Sequence, residues 1–329
     1  MTILVTGAAG FIGFHVAEAL LQRGESVLGL DNLNAYYDVR LKESRLALLH
    51  NHERFRFQRL DIADRAAMES LEAAGVDRIV HLAAQAGVRH SLIDPYAYVQ
   101  ANLLGHLTVM ELARRLPGFR HMVYASSSSV YGGNTKQPFS VEDRVDSPVS
   151  LYAATKRADE LMSHSYSHLF AIPMTGLRFF TVYGPWGRPD MSAYIFTRRI
   201  LAGEPLAVFN HGRMKRDFTY IDDIVAGVLA CLDSPPAGGG PAGGDAPHRV
   251  YNIGNNRPED LLHFIDLIAR ACGRPAKLEM KPMQPGDVAE TYADIDAISR
   301  DVGFRPTTSI EDGIPRFVAW YREYHGGQP

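Results

Sequence analysis

The sequence is poor in several features that mark particular protein classes. It has two cysteines in 329 residues, a net charge of −3 and no apolar run long enough to cross a membrane. Two cysteines in apolar helical stretches indicate reduced thiols rather than a disulfide framework, so we expect a cytoplasmic protein. The charge balance provides no basic surface for nucleic acid. No cluster of metal-ligating residues stands out, and no metal site is predicted.

A glycine-rich turn follows the first apolar strand. Residues 3–5 read as that strand, and residues 6–13 (TGAAGFIG) lead into apolar residues at helical spacing. A strand, a glycine turn and a helix N-terminus together place backbone N–H groups and the positive end of the helix dipole against a phosphate. Gly7 permits the tight turn, Gly10 lets the backbone approach a pyrophosphate, and Gly13 lets helix and strand pack closely. The segment therefore predicts a dinucleotide site.

Strands and helices alternate along the rest of the chain. Strands are predicted at residues 3–5, 26–30, 55–60, 78–82, 121–125 and 175–179. This alternation predicts an α/β fold with a doubly wound parallel sheet. Asp31 ends the second strand, where a carboxylate can bond both ribose hydroxyls and repel a 2′-phosphate, which favours NAD over NADP. Asp61 and Ile62 follow the third strand, in reach of an adenine edge.

A second motif supplies the chemistry. Tyr152 and Lys156 are one helical turn apart and share a face, and a serine run at 126–129 follows the fifth strand. Free tyrosine has a pKa of roughly 10 and is a poor base at neutral pH. A nearby ammonium favours the phenolate, which can then remove a hydroxyl proton while hydride leaves the same carbon. The motif predicts oxidation or reduction beside a nicotinamide.

The chain resembles the extended short-chain dehydrogenases/reductases of the nucleotide-sugar epimerase and dehydratase group. Matching segments run through most of the chain in family order: 6–13, 31–32, 60–61, 81–84 (HLAA), 126–132 (SSSSVYG), 152–156 (YAATK), 177–185 (LRFFTVYGP) and 216–224 (RDFTYIDDI). The resemblance implies a Rossmann domain at 1–180, with a return segment at about 216–254. It also implies a smaller, discontinuous UDP-sugar-binding domain at 181–215 and 255–329, and a homodimer formed through helices around 99–116 and 152–170.

The resemblance also implies roles for individual residues. Tyr152 would be the base, Lys156 its partner and Ser127 the assisting hydroxyl. The cofactor would contact Gly7, Gly10, Phe11, Ile12, Gly13, Asp31, Asn32, Asp61, Ile62, Leu82, Ala83, Ala84, Asn102, Tyr152, Lys156 and Phe179. A UDP-sugar would contact Arg89, Ser127, Ser128, Ser129, Tyr152, Thr181, Arg188, Phe209, Arg216 and Asp287.

Within this family the chain is most similar to UDP-glucuronate 4-epimerases. The shared segments are 31–42 (DNLNAYYDVRLK), 86–91 (AGVRHS), 181–191 (TVYGPWGRPDM) and 208–224 (VFNHGRMKRDFTYIDDI). Thr181 and Arg188 are expected to receive the uronate carboxylate, which a guanidinium can bind bidentately. The expected reaction is NAD-dependent conversion of UDP-glucuronate to UDP-galacturonate through a transient 4-keto sugar.

Other readings stay open from the sequence. A UDP-glucuronate decarboxylase uses the same oxidation, but such relatives usually carry an acidic residue where Ser128 and Ser129 stand. A UDP-glucose/UDP-galactose 4-epimerase usually has asparagine at the position of Thr181. A non-catalytic NAD-sensing protein on the same fold would have no need of Tyr152 and Lys156.

Overall fold

The computed structural model describes residues 1–238, 246–283 and 289–326. The strands are β1 (Thr2–Thr6), β2 (Ser26–Asp31), β3 (Phe55–Arg59), β4 (Val76–His81), β5 (His121–Ser127), β6 (Met174–Phe179), β7 (Thr181–Tyr183), β8 (Pro205–Val208), β9 (Lys215–Tyr220), β10 (His248–Ile253), β11 (Pro258–Asp260), β12 (Lys277–Met280) and β13 (Glu290–Thr291). The helices are α1 (Phe11–Gln22), α2 (Val39–Leu49), α3 (Arg65–Glu69), α4 (Pro95–Tyr98), α5 (Gly105–Arg115), α6 (Leu151–Phe170), α7 (Ser192–Ala202), α8 (Ile221–Leu232), α9 (Leu261–Cys272), α10 (Asp296–Val302) and α11 (Ile310–Tyr324). A π-helical segment, Val99–Leu104, joins α4 to α5.

The main sheet has seven strands in the order β10-β6-β5-β4-β1-β2-β3, and every neighbouring pair is parallel. Successive side chains of a strand point to opposite faces. Ile3 and Val5 therefore belong to one apolar core, with residues of α1 and α8, whereas Leu4 belongs to the other, with residues of α5. Helices on both faces of a parallel sheet confirm the predicted doubly wound α/β fold.

The sheet differs from the sequence prediction by one or two residues at several strand ends, and more clearly at β5 and β10. Strand β5 continues to Ser127, because Ser126 and Ser127 pair with Arg178 and Phe179 of β6. The first two serines of the run are thus strand residues, and Ser128 begins a short 3₁₀ turn. The edge strand β10 was not predicted, although it contains Val250, Tyr251 and Ile253, and it pairs along all of β6.

Two smaller sheets and three helices form a second group of elements outside the main sheet. Strands β7, β9, β11 and β13 form a small mixed sheet, and β8 pairs with β12. Helices α7, α9 and α11 pack together beside these strands. The division into two domains stays a prediction.

Cys231 and Cys272 are both buried and unbonded. Across the described ranges, no helix has the length and apolar character needed to cross a membrane.

Candidate active site

A cleft of about 440 Å³ lies at the carboxyl ends of the main-sheet strands. Ligands bind at this edge in open α/β sheets. The cleft brings together most of the predicted site residues: Gly7, Gly10, Phe11, Ile12, Gly13, Asp31, Asn32, Asp61, Ile62, Leu82, Ala83, Ala84, Ser127, Ser128, Ser129, Tyr152, Lys156, Phe179, Thr181 and Arg188. Residues from the two distant sequence motifs therefore line one cavity.

The glycine turn fits a pyrophosphate. Gly7 has φ +71°, and a Cβ there would lie 2.8 Å from the Ala83 nitrogen. A Cβ on Gly13 would lie 2.0 Å from the Gly7 carbonyl oxygen, so neither position tolerates a side chain. Helix α1 begins at Phe11 with no side-chain cap bond at its N-terminus. Its first N–H groups are thus left for a ligand, and the helix dipole makes an anion favourable there.

Asp31 is the last residue of β2 and lines the cleft, where hydrogen bonds hold its side chain in place. Its carboxylate accepts hydrogen bonds from the Ala9 nitrogen at 3.2 Å and the Leu33 nitrogen at 2.8 Å. The Lys42 ammonium lies 3.6 Å from Asp31 and donates to the Asn34 side chain at 3.0 Å. Both Asp31 and Lys42 are buried and line the cleft. A carboxylate held in this way can accept hydrogen bonds from ribose hydroxyls. The position of Lys42 beside it was not predicted from the sequence.

The predicted catalytic residues meet at the middle of the cleft. Helix α6 starts at a Ser150 cap and carries Tyr152 and Lys156 on its inner face. The Lys156 ammonium donates to the Ala125 carbonyl at 3.0 Å, which fixes it against the end of β5. The Ser127 hydroxyl donates to the Ser129 hydroxyl at 3.1 Å. Tyr152, Lys156 and the serines thus surround one space in which a sugar hydroxyl can lie.

Ser126 is separated from this group by its hydrogen bond. Its hydroxyl donates to Glu160 at 2.6 Å, inside a buried network in which Arg178 also binds Glu160 with two hydrogen bonds. Burial would raise the pKa of Glu160, but Arg178 outweighs it and lowers that pKa overall. The Ser126 hydroxyl is therefore engaged in joining β5 to α6, and the prediction that Ser127, Ser128 and Ser129 supply the assisting hydroxyls stays a prediction.

Arg188 lines the same cleft and is paired with a carboxylate of this chain. Its Nε and Nη2 donate to the two carboxylate oxygens of Asp190, at 3.0 and 2.8 Å. The Tyr36 hydroxyl donates to the same carboxylate at 3.2 Å. Asp190 and Tyr36 therefore orient the guanidinium, which has five N–H donors and so has the capacity to bind a second anion as well. Neither was predicted, because Tyr36 is 154 residues away from Asp190 in the sequence.

Three residues predicted to bind the UDP-sugar, Arg89, Phe209 and Arg216, are not among the residues that line the cleft. The Arg89 guanidinium stacks over the Phe209 ring at 5.7 Å from its centroid. Arg216 is on β9 of the small sheet, where its Nη1 donates to the Lys215 carbonyl at 2.8 Å. Asp287 lies outside the described residues. The structure thus joins Arg89 to Phe209 but leaves the roles of these four residues as predictions.

Asn102 is also absent from the cleft lining. It is buried, accepts from the Gln85 nitrogen at 2.8 Å, and donates to the Gln85 carbonyl and the Thr155 hydroxyl. Gln85 lines the cleft, and Thr155 precedes Lys156. Asn102, in the π-helical segment, therefore joins the loop after β4 to the helix that carries Tyr152 and Lys156, and its predicted contact with the cofactor stays a prediction.

Comparison with known proteins agrees with this geometry. A model of the NAD dependent epimerase/dehydratase family matches residues 3–254, more than half of the chain. The chain belongs to this family. UDP-glucuronate 4-epimerase 3 of Arabidopsis thaliana is 47% identical over an alignment of 334 positions, which covers 99% of this chain and 77% of that protein.

Solved structures of family members show the same architecture. The UDP-glucuronic acid 4-epimerase of Bacillus cereus, in complex with UDP-glucuronic acid and NAD, is 34% identical with a TM-score of 0.89, covering 98% of this chain and 100% of that one. The UDP-glucose 4-epimerase of Thermotoga maritima, with UDP-glucose, is 28% identical with a TM-score of 0.86, covering 99% and 100%. Both proteins have nearly the same fold, although they are named for different UDP-sugars. The fold therefore does not determine which sugar is bound, and the side chains that line the cleft must do so.

Asp31 predicts the cofactor preference of this family member. We expect purified protein to carry NAD and, once stripped of it, to bind NAD more tightly than NADP. Replacing Asp31 with serine should raise NADP affinity relative to NAD by about tenfold or more, because like charges a few ångströms apart repel by on the order of 1–4 kcal/mol. Lys42 would remain to attract the phosphate. Calorimetric titration checks this, and tighter binding of NADP by the wild type would contradict it.

Proposed function

We propose that the protein is an NAD-dependent UDP-glucuronate 4-epimerase, which interconverts UDP-glucuronate and UDP-galacturonate through a transient 4-keto sugar. One observation carries this proposal: Tyr152, Lys156 and Ser127 share a cleft with Thr181 and Arg188. The first three are the groups that oxidation at a sugar carbon requires. The other two are donors suited to a carboxylate. The 47% identity to a UDP-glucuronate 4-epimerase over nearly the whole chain supports the same substrate.

In the proposed reaction, Tyr152 removes the proton from the sugar O4 and later returns it. Its phenolate accepts that proton, and the Lys156 charge one turn along α6 stabilises the phenolate. The Ser127 hydroxyl donates to the same oxygen and holds it near Tyr152. Bound NAD⁺ supplies the hydride acceptor in the forward step and the hydride donor in the return step. Tyr152 then gives the proton back, so no net proton or electron is consumed.

The keto sugar must rotate within the cleft while its nucleotide stays bound to the protein. Rotation presents the opposite face of C4 and yields the epimer. The intermediate is a β-keto acid that loses CO₂ if the C5–C6 bond aligns with the carbonyl π system. Thr181 and Arg188, with Ser128 and Ser129, would hold the carboxylate near the ring plane and prevent this alignment. Positioning thus selects epimerisation over decarboxylation.

Product analysis tests the proposed function. The purified enzyme is incubated with UDP-glucuronate, and the sugar nucleotides are separated and identified by NMR. We expect UDP-galacturonate without CO₂ release. A UDP-pentose with stoichiometric CO₂ would identify a decarboxylase, and turnover of UDP-glucose alone would identify the neutral-sugar epimerase. No turnover of either sugar would favour an NAD sensor.

We also propose a homodimer. Leu92, Ile93 and Tyr96, near α4, are between 78% and 80% exposed, and Leu161 and Leu169 on α6 are 54% and 68% exposed. Helices α4 and α6 pack against each other, so these side chains belong to neighbouring surfaces. Exposed apolar residues grouped in this way are typical of interfaces. Light scattering should give twice the chain mass at micromolar concentration, and a monomer there would contradict the proposal. The cytoplasmic location stays a prediction.

A further inference from the structure

The charge of Lys156 has a buried counterion. Its ammonium lies 3.1 Å from Oδ2 of Asp159, one turn further along α6. The Lys156 residue is 3% exposed and Asp159 is fully buried. Water does not screen this pair, so the carboxylate opposes the positive charge that Tyr152 needs. The proposed reaction uses Lys156 and Tyr152 but gives Asp159 no role.

The other ionisable groups around this pair are neutral or already balanced. On α6, Glu160 is paired with Arg178 of β6 at 2.8 Å. Burial lowers the pKa of His81 on β4 to about 3 and holds the pKa of His106 on α5 well below its usual value, so both are neutral. Burial also holds the pKa of Tyr124 on β5 well above its usual value. Near neutral pH, Asp159 is therefore the variable negative charge beside Lys156.

Asp159 itself is only partly stabilised as an anion. Its Oδ1 is buried and has no hydrogen-bond partner among the residues that the structure describes. Burial raises the pKa of this carboxyl to about 6, against the lowering effect of Lys156. A carboxylate with one unpaired oxygen takes up a proton more readily than one with full hydrogen bonding. Asp159 therefore gains or loses its negative charge by protonation just below neutral pH.

We propose that Asp159 is a positioning residue that sets how much positive charge Lys156 presents to Tyr152. When ionised, it anchors the ammonium and offsets part of its field. When it is protonated, the full charge of Lys156 acts on the phenolate and keeps the base active in mild acid. The inference rests on the proposed role of Tyr152 as base, but it does not depend on which sugar the enzyme accepts.

The size of the effect follows from the helix geometry. Tyr152 and Asp159 are seven residues apart on one face, or roughly 10 Å along the axis. Removing one negative charge at about 10 Å, with an effective dielectric constant of about 20, favours the phenolate by roughly one pH unit. Asp159→Asn keeps the shape and the acceptor for Lys156 but removes the charge. It should therefore lower the pH at which Tyr152 ionises.

Two measurements on the NAD-loaded enzyme test this inference. The first is the pH profile of kcat/KM, whose acid limb should move down by about one unit in D159N. The second needs no substrate: the tyrosinate absorbance of each enzyme is titrated and that of its Tyr152→Phe partner is subtracted. The midpoint of this difference should fall by the same amount. Asp146→Asn, an exposed carboxylate before α6, is the control and should leave both midpoints unchanged.

The charge-conserving variant separates charge from packing. D159E is expected to keep both midpoints near those of the wild type, whereas a D159E enzyme with the lowered midpoints of D159N would overturn the proposal. Unchanged midpoints in D159N would also overturn it. The tyrosinate titration gives its answer even if UDP-glucuronate proves not to be the substrate, so the two proposals fail in distinguishable ways.

Discussion

Replacing Tyr152 with phenylalanine is expected to reduce kcat by about 10²- to 10⁴-fold, the range for loss of a general acid or base. The substitution removes one oxygen, the proton acceptor for the sugar O4, and leaves the ring that packs against Tyr98 at 6.0 Å. The cleft keeps its shape, so UDP-glucuronate should bind nearly as well as before. Steady-state kinetics and calorimetric binding on the same preparations measure the two quantities.

A matched control exists on the same helix. The Tyr166 hydroxyl donates to Glu111 at 2.7 Å, away from the cleft. Tyr166→Phe removes the same atom from α6 and should retain wild-type kcat. If Tyr152→Phe kept wild-type turnover, another group would have to act as base, and the assignment of α6 to the chemistry would be wrong.

Replacing Arg188 with alanine is expected to change substrate preference rather than abolish chemistry. The variant loses the donor for the uronate carboxylate and leaves Asp190, whose charge then repels that carboxylate. The ratio of kcat/KM for UDP-glucuronate to that for UDP-glucose should fall by about 10- to 150-fold, the equivalent of roughly 1.5–3 kcal/mol for a bond to a charged group. Arg198→Ala removes an exposed arginine of α7 and is the charge-matched control.

The same variant should also alter the product mixture. With fewer donors at C6 the carboxylate can rotate out of the ring plane, so part of the keto intermediate loses CO₂. Arg188→Ala and Thr181→Ala are therefore expected to release some UDP-pentose beside the epimer. An unchanged substrate ratio in Arg188→Ala would remove Arg188 from the carboxylate site and leave the neutral-sugar epimerase as the better account.

Local sequence patterns were enough to predict the fold class and the centre of the site. The turn at 6–13 needs its glycines for reasons of backbone geometry, and Gly7 and Gly13 have no room for a side chain. Tyr152 and Lys156 are linked by helical spacing. Such features depend on neighbours within a few residues, so the sequence displays them directly.

The remaining parts of the site depend on contacts that no local pattern shows. Tyr36 reaches Asp190 only because the loop after β2 folds over the end of the cleft. Strand β10 completes the sheet by pairing with β6, a partner about 70 residues earlier in the sequence that a local pattern does not reveal. Asp159 differs from these cases, because the sequence shows that it lies three residues after Lys156 on a predicted helix. The sequence could not tell that this carboxylate would be fully buried beside the ammonium.

The central claim is transient oxidation at C4 with return of the same hydrogen, and one measurement addresses it most directly. UDP-glucuronate carrying deuterium at C4 is incubated with the enzyme in ordinary water, and the product is examined by NMR and mass spectrometry. The account predicts UDP-galacturonate that retains the deuterium at C4. Loss of the deuterium to water, or a UDP-pentose as the main product, would contradict it.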